Sequence, residues 1–233
     1  MKHPFSDNRI NKKIIIMKKI TLAMLLVLHS SIVFADEYNW NGIYAGGSFG
    51  AINGDNKWKF IDAGTEPSPN PIKSDCGALG GFIGYQKEFN RLVLGIEGQA
   101  YISNYKGTSS CPNNSFNCEV KNNNFWFIGP KVGYKADNIL MYGLLGYTQA
   151  RIKGYATLLS DNSLSDVMTK DHHGLGVGLG IDFAYKEHMI FGLQYLHANL
   201  NTKLHDTQDY GGTNMYNLDE NFNLITARIG YKF

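Results

Sequence analysis

The sequence predicts an all-β fold, an eight-stranded antiparallel transmembrane up-and-down β-barrel, on three observations. The first is composition: 26 glycines in 233 residues, 13% aromatics and only 18% charged residues, where a soluble domain carries roughly 25% charge. The second is a strict apolar alternation in segments of ~10 residues whose other face is glycine rather than lysine, threonine or glutamate. The third is that eight such segments are joined by connections that alternate between long and short. Mean hydropathy is −0.25, and only one short apolar run stands near the N-terminus, so a polytopic helical membrane protein is excluded. Three cysteines are too few for a disulfide miniprotein.

That N-terminal run is read as an export signal. Lys18 and Lys19 precede the apolar stretch Ile20 to Leu28, and Val33-Phe34-Ala35 has the small-residue form of a cleavage site. Cleavage is expected between Ala35 and Asp36, dividing the chain into a signal peptide (1–35) and a barrel (36–233), and Met17 is the expected true start. Removing 1–35 takes away six basic residues and one acid. The 22 basic and 20 acidic residues become 16 and 19, and the formal charge of +2 becomes −3. No basic surplus is left to attract nucleic acid, which is not an expected partner.

The strands follow in order over 40–51, 76–88, 92–104, 123–135, 139–152, 173–185, 189–200 and 222–233. In the third, Leu94 and Ile96 alternate with Gly95, Glu97 and Gln99. In the fourth, Trp126, Ile128, Val132 and Tyr134 alternate with Gly129, Lys131 and Gly133, and Pro130 lies on the apolar side, where its missing N–H predicts a bulge or local distortion. The sixth is the most regular, with Leu175, Val177, Leu179, Ile181, Phe183 and Tyr185 against Gly174, Gly176, Gly178, Gly180, Asp182 and Ala184. The eighth sets Ile225, Ala227, Ile229, Tyr231 and Phe233 against Thr226, Arg228, Gly230 and Lys232. Short turns are expected at 89–91, 136–138 and 186–188, with long loops at 52–75, 105–122, 153–172 and 201–221. This is the arrangement of a bacterial outer-membrane barrel with long loops outside and both termini in the periplasm.

Eight strands enclose an interior that side chains fill. Parity points Glu97, Lys131, Asp182 and Arg228 inward, and two acids and two bases in a narrow lumen are expected to pair as a polar network that plugs it. A small porin-like channel is the alternative use of such a network.

Catalytic patterns are weak. Gly46-Gly47-Ser48-Phe49-Gly50 fits a nucleophile-elbow string but lacks the following helix, and Gly174-Leu175-Gly176-Val177-Gly178 has a strand's period rather than a dinucleotide turn. Asp171-His172 and His205-Asp206 are the remaining pairs with possible acid-base chemistry, and no enzymatic role or cofactor is expected. His172, His173, His197 and His205 fall near the outer strand ends, where convergence would offer a metal or hemin site; their spacing shows no ligand motif, so no metal is expected. Cys111 and Cys118 bracket six residues of one outer loop and are the simplest disulfide, with Cys76 a competitor for Cys111. The polar outer loops, which carry Trp58, Phe60, Phe116, Tyr210 and Tyr216, are where a host or phage ligand would be recognised.

Trp40-Asn41-Gly42-Ile43-Tyr44-Ala45-Gly46-Gly47 resembles the opening strand of the OmpA-like, porin-family immunogenic surface antigens. Gly80-Gly81-Phe82-Ile83-Gly84-Tyr85-Gln86 and Leu94-Gly95-Ile96-Glu97-Gly98 are similar to their second and third strands, and Arg228-Ile229-Gly230-Tyr231-Lys232-Phe233 to their last. The resemblance implies a surface protein embedded in outer-membrane lipid, whose Ile229, Tyr231 and Phe233 are read by the barrel-assembly machinery. Some relatives bind hemin. Members commonly carry a lumenal arginine on the fourth strand and a glutamate on the seventh, where this chain has Lys131 and Gln194.

Overall fold

The computed structural model describes residues 38–60, 72–110, 116–158, 160, 164–207 and 214–233. Eight strands form in chain order: β1 (Gly42–Phe60), β2 (Ile72–Phe89), β3 (Leu92–Ser110), β4 (Phe116–Ala136), β5 (Ile139–Leu158), β6 (Leu164–Tyr185), β7 (Met189–Thr207) and β8 (Asn214–Lys232). Each pairs antiparallel with the next, and β1 pairs with β8 from Tyr44↔Lys232 to Phe60↔Tyr216, closing the barrel. Closure leaves no sheet edge, as a backbone in hydrocarbon requires.

Alternation decides which way each residue faces. Leu79, Ile102, Leu175, Leu179 and Ile225 are about 60% exposed on the outer wall, positions that only a lipid environment makes favourable. Five or six outward apolar rows per strand, tilted at ~40°, span roughly 20 to 25 Å along the barrel axis, about the height of the apolar band of an outer-membrane barrel. Tyr85, Tyr134, Tyr185 and Tyr231 lie at the end with tight turns, and Trp126, Tyr147 and Tyr195 near the other limit; each is about 40% to 50% exposed. Such rings form the two interfacial girdles.

Three tight turns close one end. Asn90, Asp137 and Lys186 adopt φ of 57°, 52° and 55°, a left-handed conformation that asparagine and aspartate tolerate well and lysine less so. Gly42 has φ 124° and begins β1, where the Phe233 N–H donates to the Ile43 carbonyl at 2.9 Å. A side chain there would be strained.

At the other end the strands outrun expectation. Much of 52–75, 105–122, 153–172 and 201–221 was expected as loop but continues the ladders. A lipid-facing apolar parity marks only the stretch in contact with lipid; above it the described outer positions turn polar (Lys106, Lys121, Arg151, Asn199 and Asn221) while inner ones such as Ile52, Ile152 and Leu200 stay apolar, and backbone pairing continues regardless of side-chain type. Pro130 also differs in detail. Its pairing with β3 is continuous at Ile96↔Pro130, whereas toward β5 the ladder stops at Ile128↔Tyr147 and resumes at Lys131↔Leu144 in the same register. The missing donor makes a gap without an inserted residue. The register shifts occur higher, at Ile102/Tyr105, Asn122/Asn124, Ala156/Thr157 and Leu200/Lys203.

One ion cluster ties β3 to β4 in this extended part: Glu119 bonds Lys106 at 3.1 Å and Lys121 at 3.0 Å. Partial burial raises the Glu119 carboxyl, but the hydrogen bonds and charges of the two lysines outweigh it and hold it below its ordinary value. A depressed folded-state value means that the stabilisation is complete above the ordinary carboxylate range and is lost as pH falls through the folded value. Amide exchange of the β3–β4 ladder near Thr108↔Glu119 is therefore expected to accelerate, relative to the ladder near Ile96, on acidification below pH ~4. Glu119→Gln should remove that dependence, and an unchanged pH profile in the variant would refute the assignment.

Candidate functional site

The lumen holds the concentration of polar chemistry. Glu97 (β3), Lys131 (β4), Asp182 (β6) and Arg228 (β8) are almost fully buried and meet at the barrel axis. Arg228 forks onto Glu97, Nη1 to Oε1 and Nη2 to Oε2, each at 2.9 Å, the two-point geometry in which arginine binds carboxylate best. Lys131 donates to Asp182 at 3.1 Å and lies 3.5 Å from Glu97. The Arg228 Nε is 3.7 Å from Asp182. Two acids thus share two bases, so this network carries no net charge.

Neutral groups complete the shell. The Tyr44 hydroxyl donates to Glu97 at 2.7 Å, and Gln99 donates to it at 2.6 Å. Arg228 donates to the Tyr142 hydroxyl at 2.7 Å and to the Gln194 carbonyl. Gln99 and Gln194 exchange hydrogen bonds at 3.0 and 2.9 Å across the barrel, and Tyr101 donates to Gln99 at 3.0 Å. The Lys131 ammonium lies 3.9 Å from the Tyr142 ring centroid and the Arg228 guanidinium 4.0 Å from that of Phe82, close enough for cation–π attraction.

Tyr44, Tyr101 and Tyr142 were not assigned to the lumen from the sequence, although a signal was present. Each tyrosine lies on the inward parity of its strand and is register partner to a glycine, Tyr44↔Gly84, Tyr101↔Gly80 and Tyr142↔Gly180. The ring lies over the space where a Cβ on that glycine would stand.

Apolar layers flank this network on both sides. Toward the extended end, Tyr101 stacks on Phe125, and Phe125 of β4 meets Phe222 of β8, both with centroids 4.8 Å apart. β4 and β8 are on opposite walls. Toward the turn end, Trp40 is fully buried and Tyr38 packs edge-on against it at 4.8 Å. The Trp40 backbone N–H donates to Glu88 at 3.0 Å, Glu88 pairs with Lys135, and Lys232 donates to the Asn39 carbonyl. Burial pushes the Tyr38 hydroxyl up to about 12.

Among the described residues the candidate histidines do not converge. His172 is buried on the inner face of β6, while its neighbour His173 faces outward and stacks on Tyr147 at 6.1 Å. Adjacent strand residues take opposite faces, so they cannot share a ligand. His197 bonds Asn223 at 2.8 Å, and the His205 side chain lies outside the described residues. Among the described residues no three histidine, cysteine or acidic side chains could hold a metal ion. Asp171 and His172 are likewise split between faces, Asp171 pairing with Arg151 at 2.7 Å, which removes them as an acid-base couple. Ser48 is buried mid-strand. Cys76 is half-buried and packs against the apolar core; Cys111, the Cys118 side chain, Ala35 and Asp36 lie outside the described residues, as do Tyr210 and the side chains of Trp58, Phe60, Phe116 and Tyr216.

Residues 20–233 match the family model described as "Outer membrane protein beta-barrel domain". The chain belongs to that family. Within it, the chain is 28% identical over 199 residues to the 25 kDa outer-membrane immunogenic protein of Brucella ovis, covering 85% of this chain and 81% of that one. The Brucella abortus protein of the same name is 27% identical, with 85% and 82% covered. Among solved structures, the outer membrane protein OprG of Pseudomonas aeruginosa superposes with a TM-score of 0.59 at 16% identity, covering 84% of this chain and 98% of that one. The outer membrane protease OmpT of Escherichia coli gives 0.51 at 11% identity, covering 85% and 99%. At such identities these structures establish the fold alone. The protein is an outer-membrane β-barrel surface protein related to the immunogenic outer-membrane antigens.

Proposed function

We propose that this barrel is closed to ions and acts as a non-catalytic surface scaffold that presents its extended strand ends and loops to host or phage molecules. The contact of Phe125 with Phe222 across the lumen carries this reading. Apolar rings from opposite walls leave no continuous water path beside them, and the paired charges beneath have no free member to draw an ion through. Trp40 and Tyr38 support closure at the turn end.

In this reading residues 1–35 are removed after Ala35, the turn end and both termini lie in the periplasm, and the strand extensions stand outside the cell. The outward Ile229, Tyr231 and Phe233, 46%, 44% and 72% exposed, would be the assembly signal at the end of β8. The immunogenic relatives fit a surface that antibodies meet.

Refolded protein, shown to be folded by faster electrophoretic migration before boiling, is expected to give no steady conductance in planar bilayers. Reproducible stepwise openings would overturn closure and favour the channel reading. A folded sample that leaves lipid and peptide substrates unmodified would fit a scaffold, whereas turnover would refute it.

A further inference from the structure

The outer wall carries an unusual row of like charges. Lys106, Lys121 and Lys153 are register partners on β3, β4 and β5 and face outward beside one another, where directly opposed cations repel. Glu119 answers Lys106 and Lys121. No carboxylate among the described residues pairs with Lys153. One row lower, Arg151 stands next to them, braced by Asp171 at 2.7 and 3.2 Å. Among the described residues, four bases stand here against two acids, a local charge of +2. At similar height on β7 and β8 the described outward positions include Asn199, Asn221 and Asn223.

Below it, on the same wall, lies a groove of about 520 Å³. Ala45, Gly81, Gly98 and Ala100 form its floor, and Trp126 and Ile128 its side. These residues face the lipid band, and their small size makes the wall concave where other strands present leucine, isoleucine and phenylalanine. The lysine row stands roughly 13 Å above Trp126 along the barrel axis, at a strand rise of ~3.3 Å and a tilt of ~40°. Lysine side chains reaching back toward the girdle bring their ammonium groups to headgroup depth.

We propose that the outer wall centred on β3 and β4 binds a phosphate-bearing acylated lipid of the surrounding leaflet, an acyl chain in the groove beside Trp126 and the phosphate on Lys106, Lys121, Lys153 and Arg151. Arginine and lysine suit phosphate oxygens, and the anion relieves the repulsion that the sheet register imposes. The occupant is a membrane lipid rather than a soluble anion, because the groove and the bases share one lipid-facing wall.

The test is native mass spectrometry of the detergent-folded mature protein with three probes: phosphatidic acid, diacylglycerol of the same chains, and glycerol 3-phosphate. Phosphatidic acid is expected to be retained at stoichiometric level, with the other two at least tenfold weaker. Replacing Lys106, Lys121 and Lys153 by glutamine should weaken retention about fivefold per lysine, while Asn199→Gln with Asn221→Gln leaves it unchanged. Glu119→Gln removes a competing anion and should strengthen retention, a gain that misfolding cannot mimic. Ala100→Phe, which fills the groove, should weaken phosphatidic acid without creating affinity for glycerol 3-phosphate. Equal retention of diacylglycerol, equal binding of glycerol 3-phosphate, or an unaltered triple-lysine variant that still shows heat-modifiable migration would each overturn the proposal.

Discussion

Replacing Arg228 by alanine is expected to destabilise the barrel by about 3 to 5 kcal/mol, the cost of leaving a buried ion without its partner. Arg228 reaches Glu97, Tyr142 and Gln194, from β8 to β3, β5 and β7. Without it, Glu97 keeps Tyr44, Gln99 and the more distant Lys131, and the network contains two acids against one base. Urea titration of the folded protein in detergent, read by the shift between folded and unfolded electrophoretic bands, measures the loss. The double variant Glu97→Gln with Arg228→Met removes both charges and should recover a large part of it. A single-variant cost below ~1 kcal/mol, the range of an exposed pair, would show that water reaches the network.

A second large effect is expected at Gly180. A Cβ there would occupy the position of the Tyr142 ring, so Gly180→Val must displace a ring whose hydroxyl accepts from Arg228 at 2.7 Å and lies 3.4 Å from Asp182. Overpacking and lost hydrogen bonds together are expected to cost about 3 to 5 kcal/mol, seen in the same urea assay. Tyr142→Leu frees the space. The double variant Gly180→Val with Tyr142→Leu should therefore be more stable than the sum of the two single effects by more than ~1 kcal/mol. Strict additivity would mean that ring and glycine do not compete for this volume.

Particular residues show what was legible beforehand. Leu175 to Tyr185 identified both faces of β6, because lipid on one side and a crowded lumen on the other impose opposite demands on alternate positions. The inward parity of Glu97, Lys131, Asp182 and Arg228 could be read in the same way. Their partners could not. Arg228 and Glu97 are 131 positions apart, and no local pattern encodes which residues of β3 and β8 lie at the same height. Tyr44 and Tyr142 escaped because tyrosine suits the girdle as well as the lumen, and only cross-strand register shows a glycine beside each. The upper strands escaped because their outer face is no longer apolar, so the lipid-facing pattern that marks a strand ends before the strand does. The opposite faces of His172 and His173 could not be read, because nearness in sequence to a strand end says nothing about face until the strand is known to continue through them.

The sequence alone determined the barrel class, the strand number, the turn end and the side of the wall on which each central residue stands, since all follow from a period of two read against lipid. The tertiary structure decided which charges pair, which ring closes over which glycine and which lysines stand abreast. Those are matters of register between distant strands, and register is settled only when the eight ladders close together and every backbone donor in the membrane finds its acceptor.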